Sequence, residues 1–240
     1  MLIETLSVFP QCYDSIMNES IMKRAQDKGI LEFRAHDLRD WTHDKHRTTD
    51  DEPYGGGQGL VMKCEPIFEA CDELFAAAPT KPYTIFLSPT GETLSDALTL
   101  ELAEKDHLFF VCGHYEGIDV RAYTLADKTI SIGDYVLTSG ELASMVVIDA
   151  VVRRLDGVLG DEGSSVDESF YDGLLEYPQY TRPAQYRGMS VPDVLLSGHH
   201  TNIERWRHEQ SLLRTAALRP DLLAEANLTP EDRAFLERRS

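Results

Sequence analysis

Two short segments could hold and orient a small reactive molecule. Tyr115-Glu116-Gly117 and Ile132-Gly133-Asp134-Tyr135 each combine an aromatic ring, a carboxylate and bare glycine backbone. Together with Ser88-Pro89 they end three apolar runs, residues 84–91 (TIFLSPTG), 108–119 (LFFVCGHYEGID) and 129–142 (TISIGDYVLTSGEL). Loops at the carboxyl ends of parallel strands expose backbone N–H and C=O groups and line the crevice where open α/β sheets bind ligands. This mixture suits an adenosine-bearing ligand: backbone groups read the adenine edge, apolar walls hold the ring, and a carboxylate takes the ribose hydroxyls. No phosphate-gripping fingerprint is present, which disfavours a dinucleotide.

Other candidate chemistry is weaker. The glycine cluster at 53–59 (PYGGGQG) lacks the Lys-Ser/Thr of a P-loop and does not match GxGxxG. It reads as a turn needing φ > 0, with close backbone approach to a flat ligand as the functional alternative. His43, His46 and Cys64 fit no tetrahedral zinc spacing. Asp50-Asp51 could hold Mg²⁺ with a phosphate, although adjacent loop acids are usually only solvated.

The elements that must position these groups follow from periodicity. Apolar runs alternate with helical stretches up to about residue 155, predicting parallel strands with crossover helices. Strands are expected at 2–9, 31–37, 83–87, 108–112 and 129–132, and helices at 65–77, 95–105 and 140–155. The last helix (GELASMVVIDAVVRRL) is apolar on nearly every face, so it belongs in a core or between subunits; a subunit interface is the expectation. Residues 157–172 (GVLGDEGSSVDESFYD) are rich in Gly, Ser and acids and read as a linker. Beyond them the chain reads as helical. Thr201 and Glu204 have capping-box spacing, and Thr229-Pro230 starts a last helix.

Composition narrows the function classes. The 240 residues allow two unequal domains, and 42% apolar content is ordinary for a soluble protein. No run approaches the roughly 18–20 apolar residues of a membrane span, and the N-terminus lacks a signal-peptide pattern. Cys12, Cys64, Cys71 and Cys112 form no CxxC pair and read as reduced core thiols, so a cytoplasmic location is expected. The net charge of −18 argues against a polyanionic partner. Local charge runs the other way. Residues 160–181 carry six acids and no Lys or Arg, whereas 182–219 carry six arginines against three acids. That basic segment is either a solvated helix face or a nucleic-acid contact.

Six segments, PYGGGQGLVMK, LSPTG, CGHYEGID, SIGDYVLTSGEL, GLLEYPQYTRP and VPDVLLSGHH, occur in an order spanning the whole chain. On these the chain resembles the bacterial tRNA (guanine-N1)-methyltransferases of TrmD type. The resemblance implies an α/β SPOUT-type parallel sheet with a deep trefoil knot, plus a small helical C-terminal domain. Knots are rare exceptions to chain topology rules, so periodicity alone does not suggest one. The implied domains are 1–157 for cofactor binding and dimerisation, 158–172 as a flexible linker, and 173–240 for tRNA binding. The implied reaction moves a methyl group from S-adenosylmethionine to N1 of guanosine 37 in tRNAs with guanosine at position 36. An obligate homodimer, possession of no membrane anchor and assistance by Mg²⁺ are implied as well.

The resemblance places S-adenosylmethionine against Phe86, Leu87, Ser88, Pro89, Gly113, Tyr115, Glu116, Ser131, Ile132, Gly133, Asp134, Tyr135, Val136, Leu137 and Gly140. It places tRNA against Tyr54, Gly55, Gly59, Arg182, Arg187, His199, Arg205, Arg207 and Arg214. An arginine supporting guanine O6 falls on Arg153, leaving Arg154 as a surface or interface residue. Glu176 stands where the family has an acid near the target base. The general base is where this chain departs: the family's Asp-Ser-Phe reads Glu168-Ser169-Phe170 here, with Asp167 just before it. Either carboxylate could serve, Asp167 if the linker slips by one residue. Two further departures are His114 for an arginine and Ser139 for a glycine. The same motifs leave two other readings: a nucleotide-binding regulatory module without the chemistry, or a methyltransferase for a different RNA.

Overall fold

The computed structural model describes residues 1–159 and 168–239. In chain order the strands are β1 (Leu2–Ser7), β2 (Glu32–Asp37), β3 (Asp50–Asp51), β4 (Val61–Met62), β5 (Tyr83–Thr93), β6 (His107–Val111), β7 (Lys128–Ser131), β8 (Gln185–Tyr186) and β9 (Met189–Ser190). The α-helices are α1 (Asp14–Met17), α2 (Ser20–Asp27), α3 (Cys64–Ala77), α4 (Asp96–Ala103), α5 (Gly140–Val152), α6 (Asp193–Leu196), α7 (His200–Leu218), α8 (Pro220–Glu225) and α9 (Pro230–Glu237). The chain divides into two units, Met1–Asp161 and Glu162–Ser240, whose boundary lies outside the described residues.

The first unit is built on a parallel sheet in the order β2-β1-β6-β5-β7. Central β6 has all five side chains buried: the apolar run 108–111, as a strand flanked by strands on both sides requires, and His107, which is paired with Glu4. Its alternation divides the core. Leu108 and Phe110 face the cluster shared with α2, α4 and α5, while Phe109 and Val111 face the cluster built on α3. Each buried phenylalanine contributes about 1.5–3 kcal/mol of transfer free energy, so both faces are closed by strong packing.

Helix α5 packs much of its apolar sequence into this unit. Glu141, Ala143, Ser144, Met145, Val147, Ile148, Val151 and Val152 are buried, while Leu142 and Val146 are half-exposed apolar residues about one turn apart and Asp149 is exposed on the next turn. Just beyond α5, Arg154, its side chain 8% exposed, is ion-paired with Asp96 in the first turn of α4, so of the two expectations for it, surface or interface, the open-surface one does not hold within this unit. The turn after Val152 folds the guanidinium back over a helix N-terminus whose carboxylate needs a partner. The cysteines also differ from expectation at one position, because Cys12 is exposed while Cys64, Cys71 and Cys112 are buried.

A charged cluster lies inside the sheet. Glu4 is 4% exposed. Its carboxylate meets His36 Nε2 at 2.9 Å, His107 Nε2 at 2.8 Å and the Arg34 guanidinium at 3.6 Å. Burial alone would raise its pKa, but the hydrogen bonds and charges of His36 and His107 outweigh that and hold it below the ordinary 4.5. A depressed carboxylate contributes stability that is present above its unfolded pKa and is lost as pH falls through the folded value. Glu4→Gln is therefore expected to cost about 1–3 kcal/mol at pH 7, since it takes the carboxylate acceptor from buried His107 and from His36 and leaves Arg34 without its counter-charge. Denaturant titrations of both proteins should converge toward pH 3. Equal stability at pH 7 would show that the cluster contributes nothing.

The second unit contains the β8–β9 hairpin and α6 to α9. Arg187 and Gly188, at φ 51° and 78°, make the hairpin turn with both central residues in the left-handed region. The reading of the chain past the linker as helical did not include this ribbon. Helix α7 begins at His200 with His199 at its N-cap, so Thr201 lies inside the helix and caps nothing. Gly198 at φ 73° turns the chain one step earlier than the capping pattern implied. The last helix starts as its sequence predicts. Thr229 Oγ1 accepts from Asp232 N–H at 3.2 Å and Asp232 accepts from Thr229 N–H at 3.0 Å.

Candidate functional site

Three strand ends and one helix start build a cleft in the first unit. Strand β5 outruns its expected end at Leu87, because its pairing with β7 breaks between Leu87 and Glu92 and resumes. The intervening Ser88-Pro89-Thr90-Gly91 bulges outward, with Ser88 and Thr90 hydroxyls 2.9 Å apart. A Cβ at Gly91 would lie 2.5 Å from Ile130 N, so only glycine lets the bulge close on β7.

After β6 the chain reverses through Tyr115 at φ 57° and Gly117 at φ 125°. Glu116 N–H donates to Leu60 O at 3.0 Å and Met62 N–H to Gly117 O at 2.9 Å, tying this loop to the end of the glycine cluster. That cluster carries positive φ at Gly55, Gly56, Gly57 and Gly59, as its turn reading requires. Gly59 has a second constraint: a Cβ there would sit 2.5 Å from Glu116 Cγ. Tyr54 is wholly exposed at the cluster's edge.

After β7, Ser131 Oγ brackets Gly133, accepting from its N–H and donating to its carbonyl, both at 3.2 Å. Tyr135 folds over Gly133 and its hydroxyl donates to Ile132 O at 3.1 Å. Gly140 N–H then donates to Gly113 O at 2.7 Å, joining the start of α5 to the loop after β6.

The cleft measures ≈ 290 Å³. Of the residues read as cofactor contacts, Leu87, Ser88, Pro89, Gly113, Tyr115, Glu116, Ser131, Ile132, Gly133, Tyr135, Val136, Leu137 and Gly140 line it. Phe86 and Asp134 do not. Phe86 is fully buried against Tyr123 on the α3 side, because the two-residue period of a strand sends Leu87 to the cleft and its neighbour to the opposite face. Asp134 projects into solvent from the loop. His114, Gly117, Ile118, Tyr123, Ile130, Thr138, Ser139 and Ala143, not read as cofactor contacts, also line the cleft. Three of them carried a signal: His114 and Ser139 as departures from the family's pattern in these loops, and Gly117 in the Tyr115-Glu116-Gly117 segment.

Electrostatics near the cleft are graded. Burial, reinforced by Asp50 against Arg39, raises the Tyr115 phenol pKa. Behind the wall the Cys112 thiol is pushed up to about 12, by burial first and the Glu141 carboxylate second, so it is an inert core group.

The second unit carries the carboxylates. Glu168, Asp172, Glu176 and Glu204 line a pocket of ≈ 160 Å³ with Arg207 and His208. The segment bearing them is folded on itself: Glu176 N–H donates to Ser169 Oγ at 3.0 Å and Phe170 N–H to Leu174 O at 2.8 Å. Leu175 N–H donates to Thr215 Oγ1 at 2.8 Å, anchoring the segment to α7. Asp167 lies outside the described residues.

The arginines separate into two kinds. Arg182, Arg187, Arg205 and Arg214 are exposed, Arg187 stacking on Tyr186 at 5.3 Å. Arg207 instead lies over Tyr177 at 4.7 Å with its Nε buried and without a hydrogen-bond partner. That geometry holds its guanidinium against Tyr177 rather than leaving it free in solvent like Arg205. His199 is exposed at the N-cap of α7, and Arg153 ends α5 at its C-cap. Among the described residues no three His, Cys, Asp or Glu side chains are grouped to hold a metal ion. None of the helices among the described residues is long and apolar enough to cross a membrane.

Comparison with known proteins agrees in both sequence and extent. The family model described as tRNA (Guanine-1)-methyltransferase TrmD matches residues 1–225. The tRNA (guanine-N(1)-)-methyltransferase of Staphylococcus aureus (strain JH9) is 52% identical over 239 residues, covering 99% of this chain and 97% of that protein. The protein of the same description from Bacillus cereus (strain AH820) is 51% identical over 239 residues, covering 99% and 98%.

Proposed function

The chain belongs to the tRNA (guanine-1)-methyltransferase TrmD family, and from that premise we propose that it methylates N1 of guanosine 37, using S-adenosylmethionine, in tRNAs with guanosine at position 36. The observation that carries this reading is the convergence of three strand-end loops and the start of α5 on one cleft. Its lining fits the donor. Leu87, Ile130, Ile132 and Ala143 supply apolar walls for a purine, Glu116 a carboxylate for ribose hydroxyls, and the glycine turns bare backbone. Bound there, S-adenosylmethionine supplies an electrophilic methyl group on a good leaving group. The loops crossing at this cleft are proposed to form the trefoil knot, and the half-exposed Leu142–Val146 stripe of α5 to meet a second copy of the chain.

Guanine N1 bears a proton and its lone pair is delocalised, so it is a poor nucleophile until that proton leaves. The chain must therefore accept a proton at N1 and stabilise the charge that gathers on O6. Glu168 is assigned the first task and Arg153 the second, with Glu176 beside the target base. In-line placement supplies much of the remaining rate. The metal-ligating side chains among the described residues do not converge, so no step is routed through Mg²⁺. Exposed Arg205, paired only with Glu209 at 4.0 Å among the described residues, is a phosphate contact in this reading.

The test is methyl transfer from labelled S-adenosylmethionine to unmodified transcripts carrying guanosine or adenosine at positions 36 and 37. 1-Methylguanosine should form only when both are guanosine. A folded protein that binds the donor yet gives no product would overturn the reading. Arg205→Glu should weaken tRNA binding and flatten its salt dependence by about one unit of slope, leaving donor affinity unchanged.

A further inference from the structure

His114 has no assigned task in the reaction, yet it is the most connected residue of the cleft wall. Its backbone N–H donates to Met62 Sδ at 3.1 Å. Its ring stands edge-on to Phe9 at 5.0 Å and lies 4.8 Å from the Tyr115 ring. Its Nδ1 is 2.9 Å from the carbonyl oxygen of Thr138, on the loop after β7. A carbonyl has no proton to give, so Nδ1 must carry the hydrogen and donate it.

That bond crosses the cleft wall from one strand-end loop to another. The loop it reaches is poorly held by packing, since Tyr135, Val136 and Leu137 are all exposed. Few buried contacts mean low local stability, so the hydrogen bonds that cross to the neighbouring loop, this one beside that of Gly140 N–H to Gly113 O, weigh heavily on the population of the ordered form. A trans peptide points its N–H opposite its C=O, so anchoring Thr138 O also fixes the direction of Ser139 N–H. Both residues line the cleft, and His114 pairs with Ser139 in an isolated antiparallel bridge. The ring is thus placed to hold the loop in its binding shape before a ligand arrives, which saves ordering cost at binding.

We propose that His114 is a positioning residue of the donor cleft, whose Nδ1–H latches the loop after β6 to the loop after β7 through Thr138 O. The proposal rests on the reading of this cleft as the S-adenosylmethionine site.

The test uses the full chain and three variants, His114→Ala, His114→Asn and His114→Gln. An asparagine amide can occupy the position of Nδ1, whereas a glutamine amide reaches the position of Nε2. Calorimetric titration with S-adenosylmethionine and with S-adenosylhomocysteine should show His114→Ala weakened about three- to tenfold for both, the net worth of one hydrogen bond. His114→Asn should recover to within about twofold of wild type by the same argument, and His114→Gln should not. Amide exchange of residues 132–139 in the unliganded protein should be faster in the Ala and Gln variants only. Wild-type affinity in His114→Ala, or equal recovery by Gln and Asn, would overturn the latch. Should the wild type bind neither ligand, the cleft assignment itself fails, and unchanged amide exchange in His114→Ala separately defeats the latch.

Discussion

Glu168→Gln is expected to lower the rate of guanosine methylation by about 10²–10⁴-fold while leaving S-adenosylmethionine affinity intact. The amide keeps the size and hydrogen-bonding reach of the carboxylate but cannot take the N1 proton. Glu168 shares its pocket with Asp172, Glu176 and Glu204, against Arg207 and His208. Single-turnover rates for Glu168→Gln, Glu168→Asp and Asp167→Asn decide the matter. Loss in Glu168→Gln with partial retention in Glu168→Asp identifies the glutamate as base. Loss confined to Asp167→Asn would transfer the role to its neighbour. A rate unchanged in both would remove a linker carboxylate from the mechanism.

The second large effect is expected at Gly140, the first residue of α5. Helix propensity alone predicts that Gly140→Ala stabilises the protein by up to about 1 kcal/mol. Packing predicts the opposite and is the larger effect. A Cβ there would lie 2.7 Å from Gly113 N and 3.0 Å from Cys112 Cα, both backbone atoms that cannot swing aside. Relieving such overpacking costs about 1–3 kcal/mol. The relief must lengthen the Gly140 N–H to Gly113 O bond and shift the cleft wall. Calorimetry should find S-adenosylmethionine affinity reduced by more than about tenfold, the equivalent of 1.4 kcal/mol, and thermal unfolding should show a lowered midpoint. A variant that is both more stable and equally tight-binding would mean that the contact relaxes freely.

Much of the fold was legible because local rules suffice for element type. The short apolar run 108–111, bounded by turn residues, marked a buried strand, and the turn glycines marked where the strands end. Thr229-Pro230 announced α9 because an N-cap hydroxyl and a proline act within one helical turn. Most of the cleft lining was legible for the same reason, since loops that follow parallel strands share one edge of the sheet. The role proposed for Glu168 rests on the motif order alone, since neither charge nor periodicity suggests it.

What local rules could not decide was direction and distant pairing. Phe86 and Leu87 are both apolar, and only their register against β6 and β7 shows that the first faces α3 and the second the cleft. Arg154 reads as a surface or interface residue until the turn after α5 brings it to Asp96, 58 residues away in sequence. Arg205 and Arg207 look alike in sequence, yet one meets solvent and the other lies over Tyr177. His114 gains its bond to Thr138 only when two loops, 24 residues apart, are brought side by side. The sequence by itself determined the five strands of the main sheet, the helices that cross between them, and which residue types gather at the strand ends, though not the β8–β9 ribbon. The tertiary structure decided which side chains meet, because those pairings depend on packing between elements that no local pattern encodes.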